Sequence, residues 1–335
     1  MEFAELIDLA AERLGAAVLV SNDEFFAPKE NLLKASAPIF IEGKYTDLGK
    51  WMDGWESRRR RSPGFDWCII RLGLPGVIRG VMVDTAHFKG NYPEQCSIEA
   101  CTVDGHPDVE QLLSESTQWT EVLPQSQLKG DSQNLFAIEN SERFTHLRLK
   151  IYPDGGVARL RVYGEVAPDW QRIGRGGSEI DLAAVEHGGL VVACSDMFFG
   201  HRHNLIMPGR ALDMSDGWET KRRRGPGHDW TIIQLGTAGT IRRAEVDTAH
   251  FKGNFPESCS IEACNLEGRE VAASGFDVWP WKEILPRTRL QAHTRHFFDE
   301  ELQDAGAVTH VRFHIYPDGG ISRLRLMGTI NRRDA

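Results

Sequence analysis

Cysteine is scarce in this 335-residue chain: Cys68, Cys96, Cys101, Cys194, Cys259 and Cys264 are the full complement. So few thiols do not make a disulfide-built secreted scaffold, and free thiols in the cytoplasm are the expectation. Cys96 and Cys101 are five apart, so on a strand they face opposite ways and share no ion. Long apolar runs are missing too; none approaches the ~18–20 residues a membrane span needs. Met1–Val20 carries early acids and apolar residues at helical spacing. It reads as a short amphipathic helix rather than a signal peptide. Beyond it helical periodicity is weak, which disfavours a parallel α/β fold. Walker, Rossmann and nucleophile-elbow glycine patterns do not occur. The net charge of −9 gives no field that attracts nucleic acid or an anionic membrane. With 41% hydrophobic residues, the chain is globular and not disordered. A local basic pocket for a small anion is compatible with all of this.

What the sequence does contain is itself, twice. DGWESRRRRSPGFDWCIIRLG at Asp53–Gly73 returns as DGWETKRRRGPGHDWTIIQLG at Asp216–Gly236. DTAHFKGNYPEQCSIEA at Asp84–Ala100 returns at Asp247–Ala263, and THLRLKIYPDGGVARLRVYG at Thr145–Gly164 returns at Thr309–Gly328. Asp23, Phe25, Phe26 and Asn31 correspond weakly to Asp196, Phe198, Phe199 and Asn204. The first copy has extra residues around Lys34–Trp51. A period of about 163 residues is too long for a solenoid and marks a domain duplication. Two domains follow, 1–169 and 170–335, joined near the Gly-rich stretch Pro168–Ser178.

Within each copy the pattern is strand. Trp67–Leu72 is a short apolar run closed by Gly73 and Pro75–Gly76, with Val77–Val83 as the next strand. Cys96–Thr102 alternates. Thr145–Ile151 and Val157–Val162 flank the turn residues Tyr152–Gly156 and are expected to pair as a hairpin. Many short strands between Gly/Pro turns imply an all-β chain of two tandem β-sandwich or jelly-roll repeats, plus the N-terminal helix.

Three repeated motifs carry candidate chemistry. Asp84-Thr-Ala-His-Phe-Lys-Gly-Asn91 and its copy Asp247–Asn254 follow an apolar strand and run into a loop, where binding groups are commonly placed. His passes protons near neutral pH, Lys holds a carboxylate and Asn pairs with an amide. The same residues equally suit a turn-capping Asp, a hydrogen-bonded edge His and a solvated Lys. The basic runs Arg58–Arg61 and Lys221–Arg224 are short and flanked by acids. Guanidinium groups match a small carboxylate, and ion pairs with Glu56 or Asp66 are the bland alternative. Asp154 and Arg159 belong mainly to a turn, within reach of a site at the same end. Trp55 and Trp67 suit core or loop anchors. His201 and His203 face one way on an extended segment, yet two imidazoles do not complete a metal site.

Taken together, DGWE-x-x-[RK]R, P-G-x-D-W, DT-x-H-F-x-G-N and IYPDGG-x-x-R-x-R resemble the allantoicase family over about residues 20–330. The resemblance implies two jelly-roll modules of galactose-binding-like form, a homo-oligomer, and hydrolysis of allantoate to ureidoglycolate and urea in purine and allantoin degradation. It brings no cofactor and leaves metal dependence open. His228 meets the family's P-G-H-D-W pattern, whereas Phe65 departs from it, so the second half is the better equipped if that imidazole acts chemically. For a substrate with one carboxylate and two ureido groups, proton transfers fall to Asp84/His87 or Asp247/His250. Carboxylate binding falls to Lys89 or Lys252 with Arg59, Arg60 and Arg61 or Arg222, Arg223 and Arg224. A ureido group falls to Asn91 or Asn254. The alternatives are a ureidoglycolate-processing enzyme and a non-catalytic duplicated binding module.

Overall fold

The computed structural model describes residues 3–105, 107–173, 178–267 and 275–331. The chain forms two compact units, Met1–Ala167 and Pro168–Ala335. Residues 174–177 of the Gly-rich join lie outside the described residues. Each unit holds an antiparallel sheet of eight strands and a two-strand ribbon, and the first unit has a second short ribbon. The fold is all-β in two tandem jelly-roll repeats, as the short strands and the duplication imply.

One strand organises each repeat. Asp66–Asp84 runs unbroken for 19 residues, and Asp229–Asp247 does the same. The first half of Asp66–Asp84 is flanked by Ala17–Ser21 and Arg143–Tyr152. Its second half is flanked by Arg159–Val166 and Gln133–Ala137. The strand therefore changes both neighbours midway and ties the two layers into one ladder. Two expectations change as a result. Pro75–Gly76 does not end a strand: the Pro75 carbonyl accepts from Ala167 N–H, and a Cβ on Gly76 would lie 2.4 Å from the Glu165 carbonyl oxygen. Nor do the strands on either side of Tyr152–Gly156 form a hairpin, because Asp66–Asp84 lies between them. The turn carries the chain across to the other layer.

The N-terminal helix is also corrected. Phe3–Glu5 and Glu12–Leu14 are single 3-10 turns. Between them Ile7 and Asp8 pair with Gly164 and Tyr163, and Ala17–Ser21 pairs with the long strand. Ile7, Leu9 and Ala10 are fully buried at that edge. Sheet pairing thus wins over local helical spacing.

Strand alternation builds the core. In Arg143–Tyr152, Leu147, Leu149 and Ile151 are buried while Arg148 and Lys150 are half-buried. Each such aliphatic side chain contributes about 1.5–3 kcal/mol on leaving water. None of the six cysteines forms a disulfide among the described residues, and five of them are buried. His203 lies in the 3-10 turn Arg202–Ile206 and His201 caps it from extended backbone, so the two do not share one extended segment. Their rings are 4.9 Å apart, and His203 is buried.

Candidate active site

The repeated motifs meet at one end of each repeat, and the meeting is built from the inside. Trp55 and Trp218 are fully buried. Their indole N–H groups donate to the carbonyls of Asp23 and Asp196, both at 2.8 Å. Arg159, 1% exposed, donates to the Asp53 carboxylate at 2.7 Å and to three backbone carbonyls. Arg323 and Asp216 repeat this pair at 2.8 Å. The aspartate of DGWE and the arginine after YPDGG are thus a buried strap. Four of the five guanidinium N–H donors of Arg159 are already bonded within the protein and the side chain is buried, so its role is structural.

Phe88 and Phe251 are fully buried plugs. A Cβ on Gly156 would fall 1.9 Å from the Phe88 ring, and one on Gly320 would fall 1.9 Å from Phe251. The second glycine of YPDGG is therefore required by the phenylalanine of DTAHFKGN. Thr85 hydroxyl holds the same loop by donating to Lys129 O at 2.6 Å, as Thr248 does to Gln291 O at 2.6 Å.

This scaffold separates residues that sequence proximity had placed together. Asp84, 2% exposed, accepts from Ala86 N–H at 2.8 Å. Asp247 is fully buried; it accepts from Ala249 N–H at 2.8 Å and pairs with Arg210 at 3.0 Å. His87 and His250 take left-handed backbone, φ 69° and 70°. The Nε2 of His87 lies 3.2 Å from Pro38 O, and that of His250 3.0 Å from Ala211 O. A carbonyl only accepts, so Nε2 carries the proton. Among the described residues neither histidine bonds its aspartate. Lys89 is exposed and 3.8 Å from Asp131, and Lys252 is exposed.

The end of the loop does meet other polar groups. Asn91 Nδ2 donates to Glu56 Oε1 at 2.7 Å, and Asn254 donates to Glu219. Glu56 is buried, and burial pushes its carboxyl above the usual range despite the Asn91 bond. Beside these pairs lies the basic run. Arg60 N–H donates to Asp154 at 2.9 Å, and its guanidinium pairs with Asp66 at 2.6 Å. Arg223 N–H donates to Asp318 at 2.9 Å, and its guanidinium pairs with Asp229. Arg59, Arg61, Arg222 and Arg224 have no ion-pair partner among the described residues, and all four are exposed. In the second repeat Glu219, Asn254, Arg222, Arg223 and Asp318 line a cavity of about 690 Å³, which Arg289 and Glu257 also border.

His228 does not line that cavity. Its Nε2 is 2.8 Å from His314 Nδ1, and His314 Nε2 is 2.8 Å from Glu262. Its ring lies 4.6 Å from that of Tyr316. Burial, then Arg223, holds its pKa down. In the first repeat Phe65 lies 5.4 Å from Tyr152, and Lys150 pairs with Glu99 at 2.5 Å. The Phe65/His228 difference is therefore matched by Lys150/His314 beneath it. Glu219 and Asp318 were not singled out from sequence, and Glu56 only as an ion-pair partner of the basic run, although DGWE and YPDGG keep them in both copies. Among the described residues no group of three or more His, Cys, Asp or Glu side chains is placed to hold a metal.

The chain matches the allantoicase repeat family twice, over residues 7–167 and 180–331. It is 51% identical over 98% of both chains to a probable allantoicase of Photobacterium profundum. A probable allantoicase of Pseudomonas aeruginosa is 50% identical, over 98% of this chain and 97% of its own. Among solved structures it is similar to allantoicase from Saccharomyces cerevisiae: TM-score 0.81, 37% identity, covering 98% of this chain and 96% of that one.

Proposed function

The chain belongs to the allantoicase family, and from that premise we propose that it hydrolyses allantoate to ureidoglycolate and urea in the Glu219–Asn254 cavity. The activity is C–N hydrolysis outside peptides. The observation that carries the placement is the carboxylate–carboxamide pair on the wall of the ≈690 Å³ cavity, beside the uncommitted guanidinium of Arg222. Allantoate has one carboxylate and two ureido groups on a single carbon. Arg222 binds the carboxylate bidentately. Asn254 and Asp318 hold ureido N–H and C=O groups. Glu219 has one oxygen on Asn254 and a second with no partner among the described residues. That second oxygen moves the protons. One C–N bond at the central carbon breaks, and its nitrogen takes a proton and leaves as urea. The oxygen of water bonds to the same carbon and gives up a proton. Asp247, buried and bound to Arg210, is not the base in this reading, and His250 stays on its backbone carbonyl.

Replacing Glu219 by Gln keeps the size and the Asn254 contact while removing the proton carrier. Urea release should fall about 10²–10⁴-fold, the usual span for general acid–base catalysis. Glu56→Gln tests the first repeat in the same assay. Wild-type turnover in both variants would end this assignment.

The same reading sets the protein in allantoin degradation in the cytoplasm, as a homo-oligomer. Six cysteines with no disulfide among the described residues suit a reducing compartment. Exposed Ile39, Ile41, Tyr45 and Leu48 supply an apolar surface suited to a second copy. Light scattering after size exclusion measures the oligomer directly. No helix among the described residues is long and apolar enough to cross a membrane.

A further inference from the structure

The two repeats differ most where the first carries its extra residues. Pro38 and Ala211 are equivalent anchors, since each carbonyl takes the histidine Nε2 of its loop. Asp53 and Asp216 are equivalent too, since each takes the buried arginine. Residues 39–52 lie between the first pair of anchors and 212–215 between the second. The longer stretch folds as an arm with a short ribbon, Tyr45–Thr46 against Gly49–Lys50. Against the outer face of the DTAHFKGN loop it encloses a pocket of about 330 Å³, lined by Phe40, Lys50, Met52, His87, Lys89 and Asn91 among others.

The pocket is cationic in a chain of net charge −9. Lys50 Nζ sits 4.6 Å from the centre of the Phe40 ring and has no carboxylate partner among the described residues. Lys89 has only Asp131, at 3.8 Å, for compensation. The neighbouring carboxylates are engaged elsewhere: Asp53 by Arg159 and Lys34, Glu56 by Asn91. Asn91 gives its amide N–H to Glu56 and so keeps its oxygen as an acceptor. Phe40 and His87 present flat rings 5.9 Å apart and inclined by 31°. The volume falls at the small end of ligand pockets, which run about 300–1,000 Å³.

We propose that this pocket is a second, non-catalytic binding site, peculiar to the first repeat, for a small carboxylate bearing one planar ureido group. Lys50 and Lys89 take the carboxylate, Phe40 stacks on the ureido plane, and the Asn91 oxygen accepts its N–H. The choice of ureido chemistry rests on the proposed reaction, but the test does not require catalysis.

Hydantoate carries one carboxylate and one ureido group, and it lacks the second ureido that hydrolysis would remove. The Met52 methyl, which lines the pocket, reports on it by methyl NMR in the full-length protein. Titrating hydantoate should shift that resonance saturably in the wild type and equally in Glu219→Gln. Urea and acetate, each with half of the recognition elements, should not shift it at matched concentration. Lys50→Ala and Phe40→Ala, both at exposed positions, should weaken the response at least tenfold. Their allantoate turnover should stay at the wild-type level. A Met52 signal unmoved by hydantoate overturns the proposal, as does an undiminished response in both variants. Turnover lost in parallel with binding also overturns it, because the pocket would then be part of the catalytic site.

Discussion

Asn91 gives its side-chain N–H to Glu56 across 35 residues of sequence, and Asn254 gives its own to Glu219 across the same 35. The interval is kept because the long central strand and the Phe88 or Phe251 plug fix both loop ends. A carboxylate and a carboxamide are thereby presented side by side in each repeat.

Burial raises the Glu56 carboxyl above its unfolded value. Its contribution to stability is therefore present below the ordinary pKa of 4.5 and is lost as pH rises through the folded value. Glu56→Gln removes the cost of the buried charge while keeping the Asn91 acceptor. Thermal melts should show the variant gaining on wild type at pH 7 and matching it near pH 4. A gain that persists unchanged at pH 4 would show that ionisation is not its source.

The Asp53–Arg159 strap is expected to be the most damaging polar pair to break. Arg159→Ala leaves the Asp53 carboxylate, 6% exposed, held among the described residues by Lys34 at 3.3 Å and Ile39 N–H alone. Removing one partner of a buried pair costs about 3–5 kcal/mol, read as a lower urea midpoint. Arg159→Lys should recover little, because an ammonium cannot span the Asp53 carboxylate and the carbonyls of Ser36, Asp53 and Ala158.

Gly156 and Gly90 provide a matched contrast within one site. A methyl on Gly156 would meet the Phe88 ring at 1.9 Å, while one on Gly90 meets nothing within 4 Å. Gly156→Ala should destabilise by at least the ~1–3 kcal/mol typical of overpacking. Gly90→Ala should stay within about 0.5 kcal/mol of wild type. Equal midpoints for the two variants in denaturant would contradict the plug.

His146, 1% exposed, is pushed by burial from 6.5 down to about 4. The folded chain resists protonating it, so its full contribution holds above pH 6.5 and drains away as pH falls toward 4. The loss is on the order of 3 kcal/mol by linkage. His146→Phe should flatten the fall in stability between pH 6.5 and 4, followed by denaturant melts across that range.

Much of this was legible in the chain itself. Alternation in Arg143–Tyr152 marked a half-buried strand, and the doubled DGWE, DTAHFKGN and YPDGG segments marked two copies of one scaffold. Pairing was not legible. Tyr152–Gly156 has the composition of a hairpin turn, and nothing local says that Asp66–Asp84 will slide between its arms. The N-terminal residues were misread for the same reason: Ile7 and Leu9 suit a helix face until a sheet edge claims them.

The sequence by itself determined the duplication, the all-β class and the family, because periodicity, repeat and motif are properties of residue order. Which acids line the cavity was decided only by tertiary structure. Asp247 and His250 are three residues apart in the chain. The aspartate ends a buried strand facing inward, and the histidine turns through left-handed backbone onto Ala211. Glu219 lies far from Asn254 in sequence, yet the ribbon it forms with Gly320 brings the two together. Side-chain direction in a sheet is set by register and partner, and a partner far away in the chain leaves no local signature.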